Sequence, residues 1–380
     1  MNQPEIIENN IKWLLFSDIR IKEGKDQGAL SGWKDLTNYS LPFIYSEIVG
    51  YAITFFSWIY LIKNNKLALT AAEASFQWIN KNIQNNLLPA GKINNNSGFN
   101  LKGDLQNQIY SFDNGIIIAG LLNLYKIKHE SEILNLAVRI ADGLIEKFWK
   151  GDRMLALLDA SFNKTDYGKG KWSTISGPYH TKVAFGFIKL YKATGNSIYR
   201  DISCSLCDFG LRMQDKEGRF ITNTDIDLTY LHPHLYSCEG MLYSGIELMD
   251  NNYIKASLKG LEWAIKLMHT NNGLLPRSTK ENIEQSDCIA QLLRLLIICR
   301  SKLNTNGKLD IDNIIENLKN TLLNLYIENG REMGGFRYQR SFNQICTWCT
   351  MFAVQAFEFY NSMIDKDDDK SAMDLMEYYI

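Results

Sequence analysis

Two kinds of hydrophobic pattern alternate along the chain. In the first, a few polar or capping residues lead into a run that is apolar on nearly all sides, with small residues interspersed. Six stretches have this form: "YSEIVGYAITFFSWIYLIK" from Tyr45, "SFDNGIIIAGLLNLYKIK" from Ser111, "PYHTKVAFGFIKLYKATG" from Pro178, "YSCEGMLYSGIELM" from Tyr236, "EQSDCIAQLLRLLIICR" from Glu284 and "FNQICTWCTMFAVQAFEFY" from Phe342. A helix apolar all round is a buried helix. In the second kind a single apolar stripe recurs at helical spacing, most clearly through Ile133, Leu136, Ala137, Ile140, Ala141, Leu144, Ile145 and Phe148. Further stripes run through Ala68, Ala72, Phe76 and Ile79; through Ile198, Ile202, Leu206, Phe209 and Met213; through Ile254, Leu258, Leu261, Ile265 and Met268; and through Ile311, Ile315, Leu318, Leu322 and Leu325. The early segment around Pro4 to Leu15 supplies a sixth outer helix.

Six buried helices, each partnered by an amphipathic one, describe an inner ring within an outer ring. The expected fold is therefore all-α, an (α/α)6 toroid or six-hairpin barrel, formed by residues 1–380 as a single domain. An open helical solenoid would give the same alternation.

Loop lengths give the barrel two unlike ends. Buried-to-amphipathic connections are tight, as in "KNNK", "HES" and "TGN". The reverse connections are long, with Gly- or Pro-marked extended pieces such as "NLLPAGKI", "EGRFITNT", "NGLLPRST" and "GGFRYQRS". Short β-hairpins are expected there, on the face where the buried helices start, and long loops on a rigid scaffold are where binding residues concentrate. At or near those starts lie Glu47, Asp113, His180, Glu239 and Asp287. Ser-acid pairs such as Ser46-Glu47, Ser237-Cys238-Glu239 and Ser286-Asp287 also have the form of ordinary helix starts, where serine caps and an acid complements the dipole. Four such acids on buried helices, where an unpaired charge is costly, favour a functional reading.

Composition narrows the choice of ligand. The chain has 380 residues, with Lys+Arg 41 and Asp+Glu 42, a formal net charge of -1 that supplies no overall field for nucleic acid or an anionic membrane. The first residues, "MNQPEIIENNIKWLLF", lack a basic n-region, and no apolar run reaches the roughly 18 residues of a membrane span. A cytoplasmic protein is expected, its seven cysteines free thiols. Its expected partner is a sugar or oligosaccharide, with no nucleic acid and no membrane; oligomeric state is left open. "CSLC" and "CTWC" fall within predicted helices and read as buried structural cysteines, so neither metal nor cofactor is expected. Nucleotide-binding, zinc-protease and serine-hydrolase motifs are missing. The acidic run within 364–380 reads as a solvated connection to a short terminal helix.

The same loops carry aromatic and basic groups suited to sugars. Tyr45, Trp172, Tyr236 and Trp348 offer apolar faces or hydroxyls, and Arg277, Arg337 and Arg340 could clamp a carboxylate. His180, His232 and His234 are three of only five histidines and lie on the loop face. Glu47, beside Tyr45, could hold a sugar hydroxyl without transferring a proton.

Through "PFIYSEIVGYAIT", "SFDNGIIIAGLLNLYK", "HPHLYSCEGMLY", "SDCIAQLLRL" and "GGFRYQ", over roughly Trp33 to Tyr360, the chain resembles the six-hairpin carbohydrate-active superfamily. That superfamily includes unsaturated glucuronyl and rhamnogalacturonyl hydrolases, N-acylglucosamine 2-epimerases and bacterial exopolysaccharide-biosynthesis proteins. The resemblance implies a role in cell-surface polysaccharide metabolism, as a glycoside hydrolase acting on a uronate-type sugar. Asp113 would then be the general acid, and Glu239 or Asp287 its partner. The paired aspartates of the uronyl hydrolases are not clearly present. The alternatives are a 2-epimerase-type enzyme using histidines, or a toroid that binds glycans without turning them over.

Overall fold

The computed structural model describes residues 3–93, 105–164, 171–223, 226–303, 309–365 and 376–379. Where the sequence marks a tight connection, the backbone reverses with one left-handed residue followed by a cap. Asn64 (φ 49°) ends α2 (Ser46–Lys63), and the Asn65 side chain then accepts from Ala68 N to start α3 (Lys66–Asn82). Gly195 (φ 73°) and Asn196 divide the work in the same way between α6 (Ala184–Thr194) and α7 (Ser197–Arg212). The other helices are α1 (Gln3–Phe16), α4 (Ser111–Lys128), α5 (Ser131–Phe148), α8 (Leu231–Glu247), α9 (Asn251–Thr270), α10 (Ser286–Ile298), the single turn α11 (Arg300–Leu303), α12 (Ile311–Leu323) and α13 (Thr347–Asp365).

The ring closes. α2, α4, α6, α8, α10 and α13 pack each on the next, and α13 returns to α2; α3, α5, α7, α9, α12 and α1 lie outside them. This is the (α/α)6 toroid, with α13 and α1 forming the hairpin that joins the two ends of the barrel chain. The inner helices approach to backbone contact, which requires glycine: a Cβ on Gly120 of α4 would lie 2.5 Å from Gly50 O of α2.

The face where the inner helices start is built from three two-stranded antiparallel pairs. β2 (Phe43–Tyr45) pairs with β3 (Gly91–Ile93), β4 (Gln108–Tyr110) with β5 (Leu157–Asp159), and β1 (Trp33–Asp35) with β6 (Gln344–Cys346). They tie one loop to another, while local antiparallel bridges such as Gln214–Phe220 and Tyr326–Phe336 form the short hairpins expected. β2, β4 and β6 each run directly into an inner helix, fixing the first side chains of α2, α4 and α13 toward the ring axis. The β1–β6 seam is reinforced by a buried cluster: Lys34, fully buried, sits 2.5 Å from Asp18 and 2.6 Å from Glu332, and Trp13 Nε1 donates to Glu332 at 2.9 Å.

Two local expectations change. α8 begins at Leu231, ahead of the start expected at Tyr236, so "LHPHL" is helix rather than loop and Glu239 lies two turns inside it. Pro233 is compatible because it occupies the first turn, where its missing N–H would have no intrahelical acceptor. On α7 the buried face runs through Tyr199, Ile202, Ser203, Leu206, Cys207 and Gly210, leaving Ile198 54% exposed. Gly210 sets that rotation: a Cβ there would lie 2.5 Å from Thr181 Cγ2.

At the far end of the barrel, residues 376–379 return to the axis. Lys189 Nζ pairs with Glu377 at 2.9 Å, Gln355 Nε2 donates to Tyr378 O at 2.8 Å, and the Tyr379 ring lies 4.2 Å from the Arg294 guanidinium. Most of the acidic run and the expected terminal helix lie outside the described residues. Among those described, no helix is long and apolar enough to cross a membrane.

Candidate active site

Glu47 is the second residue of α2 and Asp113 the third of α4, so neighbouring inner helices present them on the same rim. Tyr45 and Tyr110, the last residues of β2 and β4, stand beside them. Tyr51 Oη donates to Tyr236 Oη at 2.8 Å, and Tyr236 Oη points at Glu47 Oε1 at 3.5 Å. Asp113 is 3% exposed, and its Oδ2 finds no hydrogen-bond partner among the described residues. Burial, then the neighbouring Glu47 charge, push the Asp113 carboxyl well above the ordinary carboxylate range, against the opposing pull of Lys171 and Tyr45. Burial lifts Glu47 to about 7, with Tyr51, Lys182 and Tyr236 pulling the other way. The pair thus shares protons near neutrality, one carboxyl protonated while the other ionises. Lys171 Nζ donates to Tyr110 Oη at 3.0 Å, and its ammonium is lowered by burial while both acids oppose the shift.

Across the opening stands His232, in the first turn of α8. Its Nδ1 lies 2.6 Å from Gln291 Oε1 and 3.6 Å from Asp287 Oδ2. Asp287 is held by its own helix start, with Oδ1 accepting from Cys288 N at 2.8 Å, and by Trp348 Nε1, which donates to Oδ2 at 3.2 Å. Aromatic rings frame the opening: Trp172 lies 6.2 Å from His232, Tyr236 4.3 Å from it, and Trp33 and Tyr338 flank Trp348 at 6.3 and 5.8 Å.

Below the opening the ring axis holds ions. Glu239, fully buried, sits 2.5 Å from Lys182 Nζ and 3.3 Å from Arg294 Nη2, and accepts from Gln291 Nε2 at 3.3 Å. Lys182 is pushed down to about 8, by burial first, with Glu239 opposing. Phe352 and Tyr379 cover the Arg294 guanidinium at 4.3 and 4.2 Å. Glu239 is therefore an internal counterion in place of a rim carboxylate.

The structure brings Glu47, Asp113, Tyr45, Trp172, His232, Tyr236, Asp287 and Trp348 to one opening, and sets the remaining candidates elsewhere. His180 is buried against Ser111 Oγ at 3.0 Å and the Gly177 backbone, and burial pushes it down to about 4. His234 accepts from Phe220 N at 3.2 Å and meets Gly260 O at 3.0 Å; burial pushes it, too, down to about 4. Both serve as neutral packing groups. Arg277 pairs with Glu281 at 3.1 Å and lies over Tyr230, Arg337 donates to Phe342 O at 3.4 Å, and Arg340 is exposed near Glu284. Arg277 and Arg337 are thus occupied within their own loops.

Among the described residues, His232, Asp287 and Cys288 are the group of metal-ligand type whose donor atoms fall within 4.8 Å of one another. The fit is poor, because His232 Nδ1 and both Asp287 oxygens already have partners and burial holds the Cys288 thiol well above its usual range, away from the thiolate a metal needs. All seven cysteines are free.

No protein-family model matches the chain, and no curated protein matches it in sequence. Solved structures do match. A sugar epimerase from a ruminal bacterium superposes with TM-score 0.76 at 13% identity, over 97% of this chain and 100% of that one. Cellobiose 2-epimerase from Bacillus thermoamylovorans gives 0.72 at 12%, over 93% and 99%, and an unsaturated glucuronyl hydrolase specific for heparin gives 0.69 at 9%, over 96% and 99%. At these identities the likeness is one of fold, and that fold is the (α/α)6 toroid.

Proposed function

We propose that the protein is a carbohydrate-active enzyme, a glycoside hydrolase acting on an acidic, uronate-type sugar or oligosaccharide. The observation that carries this reading is the carboxyl pair at the opening: Asp113 is buried, its Oδ2 without a partner among the described residues, so that burial and the Glu47 charge keep it protonated to assist a leaving oxygen, while Glu47 ionises near neutrality. Asp113 is the acid and Glu47 its partner. Lys171 and the N-termini of α2, α4, α10 and α13 supply the positive charge and dipoles a sugar carboxylate would meet. The aromatic frame offers faces for pyranose rings. Toroids named as sugar epimerases and glucuronyl hydrolases support a sugar ligand.

The test is turnover of saturated and unsaturated uronate-terminated oligosaccharides by wild type and Asp113→Asn. The variant should lose roughly 10²–10⁴-fold in turnover, the range of a positioned acid, while sugar binding measured calorimetrically persists. Binding without turnover in the wild type would leave a glycan-binding toroid. A second reading, sugar epimerisation, is favoured by one observation, the His232–Asp287 pair at the same opening. It requires solvent deuterium to appear at a substrate carbon, and a product free of deuterium removes it.

A further inference from the structure

The buried ion cluster below the opening is linked to His232 by one side chain. Gln291, on the second turn of α10, lies between them. Its amide has one donor end and one acceptor end, and the cluster decides which faces where. Lys182 Nζ, 2.5 Å from Glu239 Oε2, and Arg294 Nη2, 3.3 Å from Oε1, offer only donors, so both Glu239 oxygens face the cluster as acceptors. Gln291 must therefore turn its NH2 toward Glu239 Oε1, at 3.3 Å, and its carbonyl Oε1 toward His232 Nδ1, at 2.6 Å. A carbonyl accepts only, so Nδ1 carries the hydrogen. Asp287 Oδ2, 3.6 Å from the same nitrogen, favours the same arrangement.

From this chain of contacts we infer that His232 is held in its Nδ1–H tautomer, so that the unprotonated Nε2 is the proton acceptor of the cleft, with Gln291 and Glu239 as positioning residues. The neutral histidine side chain in water favours the Nε2–H tautomer, so the bias has to be imposed from outside the ring, by the hydrogen bond at Nδ1. The ring is 17% exposed and stands between Tyr236 and Trp172, on the side of the opening. Nε2 can then accept the hydrogen of a ligand hydroxyl, or take the proton of a hydroxyl or water as the O–H bond breaks. The imidazolium so formed would have Asp287 as its counter-charge. The Lys182–Glu239–Arg294 cluster, buried below, thereby acts on the opening at one remove, by keeping Gln291 from flipping. The reading of the opening as a sugar site bears only on the identity of the ligand, and the tautomer stands without it.

The test is a long-range ¹⁵N–¹H correlation spectrum of histidine-labelled protein at a pH where His232 is neutral, its signals assigned by their loss in His232→Gln. The expected result is a pyrrole-like Nδ1 and a pyridine-like Nε2. In Gln291→Met, and separately in Glu239→Gln, the two nitrogens should move toward each other as the opposite tautomer becomes populated, while His180 and His234 signals stay in place and report an intact barrel. A pyridine-like Nδ1 in the wild type overturns the inference, as does an unchanged His232 pattern in Gln291→Met. If Gln291→Met disturbs His180 and His234 as well, Glu239→Gln alone decides by the same criterion. Absence of sugar turnover would count against the proposed function and leave the tautomer result standing.

Discussion

Asp113 and Glu47 cannot both be charged at low cost, since the opening removes most of the water that would screen them. Burial is the first cause of the raised Asp113 carboxyl and the Glu47 charge the second, so removing that charge in Glu47→Gln should make Asp113 titrate lower, followed by its ¹³C shift. The activity profile should change with it: wild-type turnover rises with pH through about 7 as Glu47 ionises, and that limb should vanish in the variant. Stability has the opposite sign. Glu47 is raised from 4.5 to about 7 on folding, so its contribution is fully present below 4.5 and lost as pH rises through 7. Urea midpoints of Glu47→Gln relative to wild type should therefore improve between pH 5 and pH 8. His180 and His234 act the other way: each falls from 6.5 to about 4, so their contribution is present above 6.5 and lost as pH falls toward 4. Midpoints should drop across that window, and a flat profile would contradict the burial of these rings. Much of the rim is legible from the chain, because Ser-acid pairs at the heads of apolar runs mark Glu47, Asp113 and Asp287. Lys182, Gln291, Arg294 and Lys171 carry no such mark, although Gln291 follows Asp287 by one turn and Arg294 interrupts an apolar run, as an internal ion partner must.

Among the elements, the inner helices depend on two unlike devices. One is backbone contact through glycine, and Gly120→Ala should cost roughly 1–3 kcal/mol by thermal unfolding, as overpacking does, since Gly50 O has nowhere to retreat. The other is the axial ion cluster. Arg294→Met removes one of the two cations paired with the buried Glu239, and a loss of roughly 3–5 kcal/mol is expected; a neutral outcome would mean that the aromatic cover of Phe352 and Tyr379 outweighs the charge. Helix identity follows from periodicity, but two details need the third dimension. Pro233 reads as a loop signal until its place in a first turn is known, and that shifts Glu239 from rim to axis. The α7 face is set by Gly210 against Thr181, a contact between layers that no stripe reveals.

For the whole molecule, the closed ring and its shared core lead us to propose one cooperative domain, and a single calorimetric transition with matching calorimetric and van't Hoff enthalpies is expected. Deleting residues 366–380 removes Glu377 and Tyr379 from Lys189 and Arg294, so the truncated chain should melt lower while keeping its helical content. The alternation of helices foretells two rings, whereas closure depends on side chains far apart in sequence. Thr347 Oγ1 donates to Ser31 O across 316 residues, and α13 covers α2 through Tyr51 against Phe352 and Trp58 against Phe359. At roughly 5–20 residues per second of synthesis, the flank of α2 therefore waits on the order of tens of seconds for its cover. A nascent barrel would spend that interval as an open arc with aromatic side chains on its leading edge. Its yield in a cell should accordingly be governed by how well chaperones shield that edge until the last helix arrives.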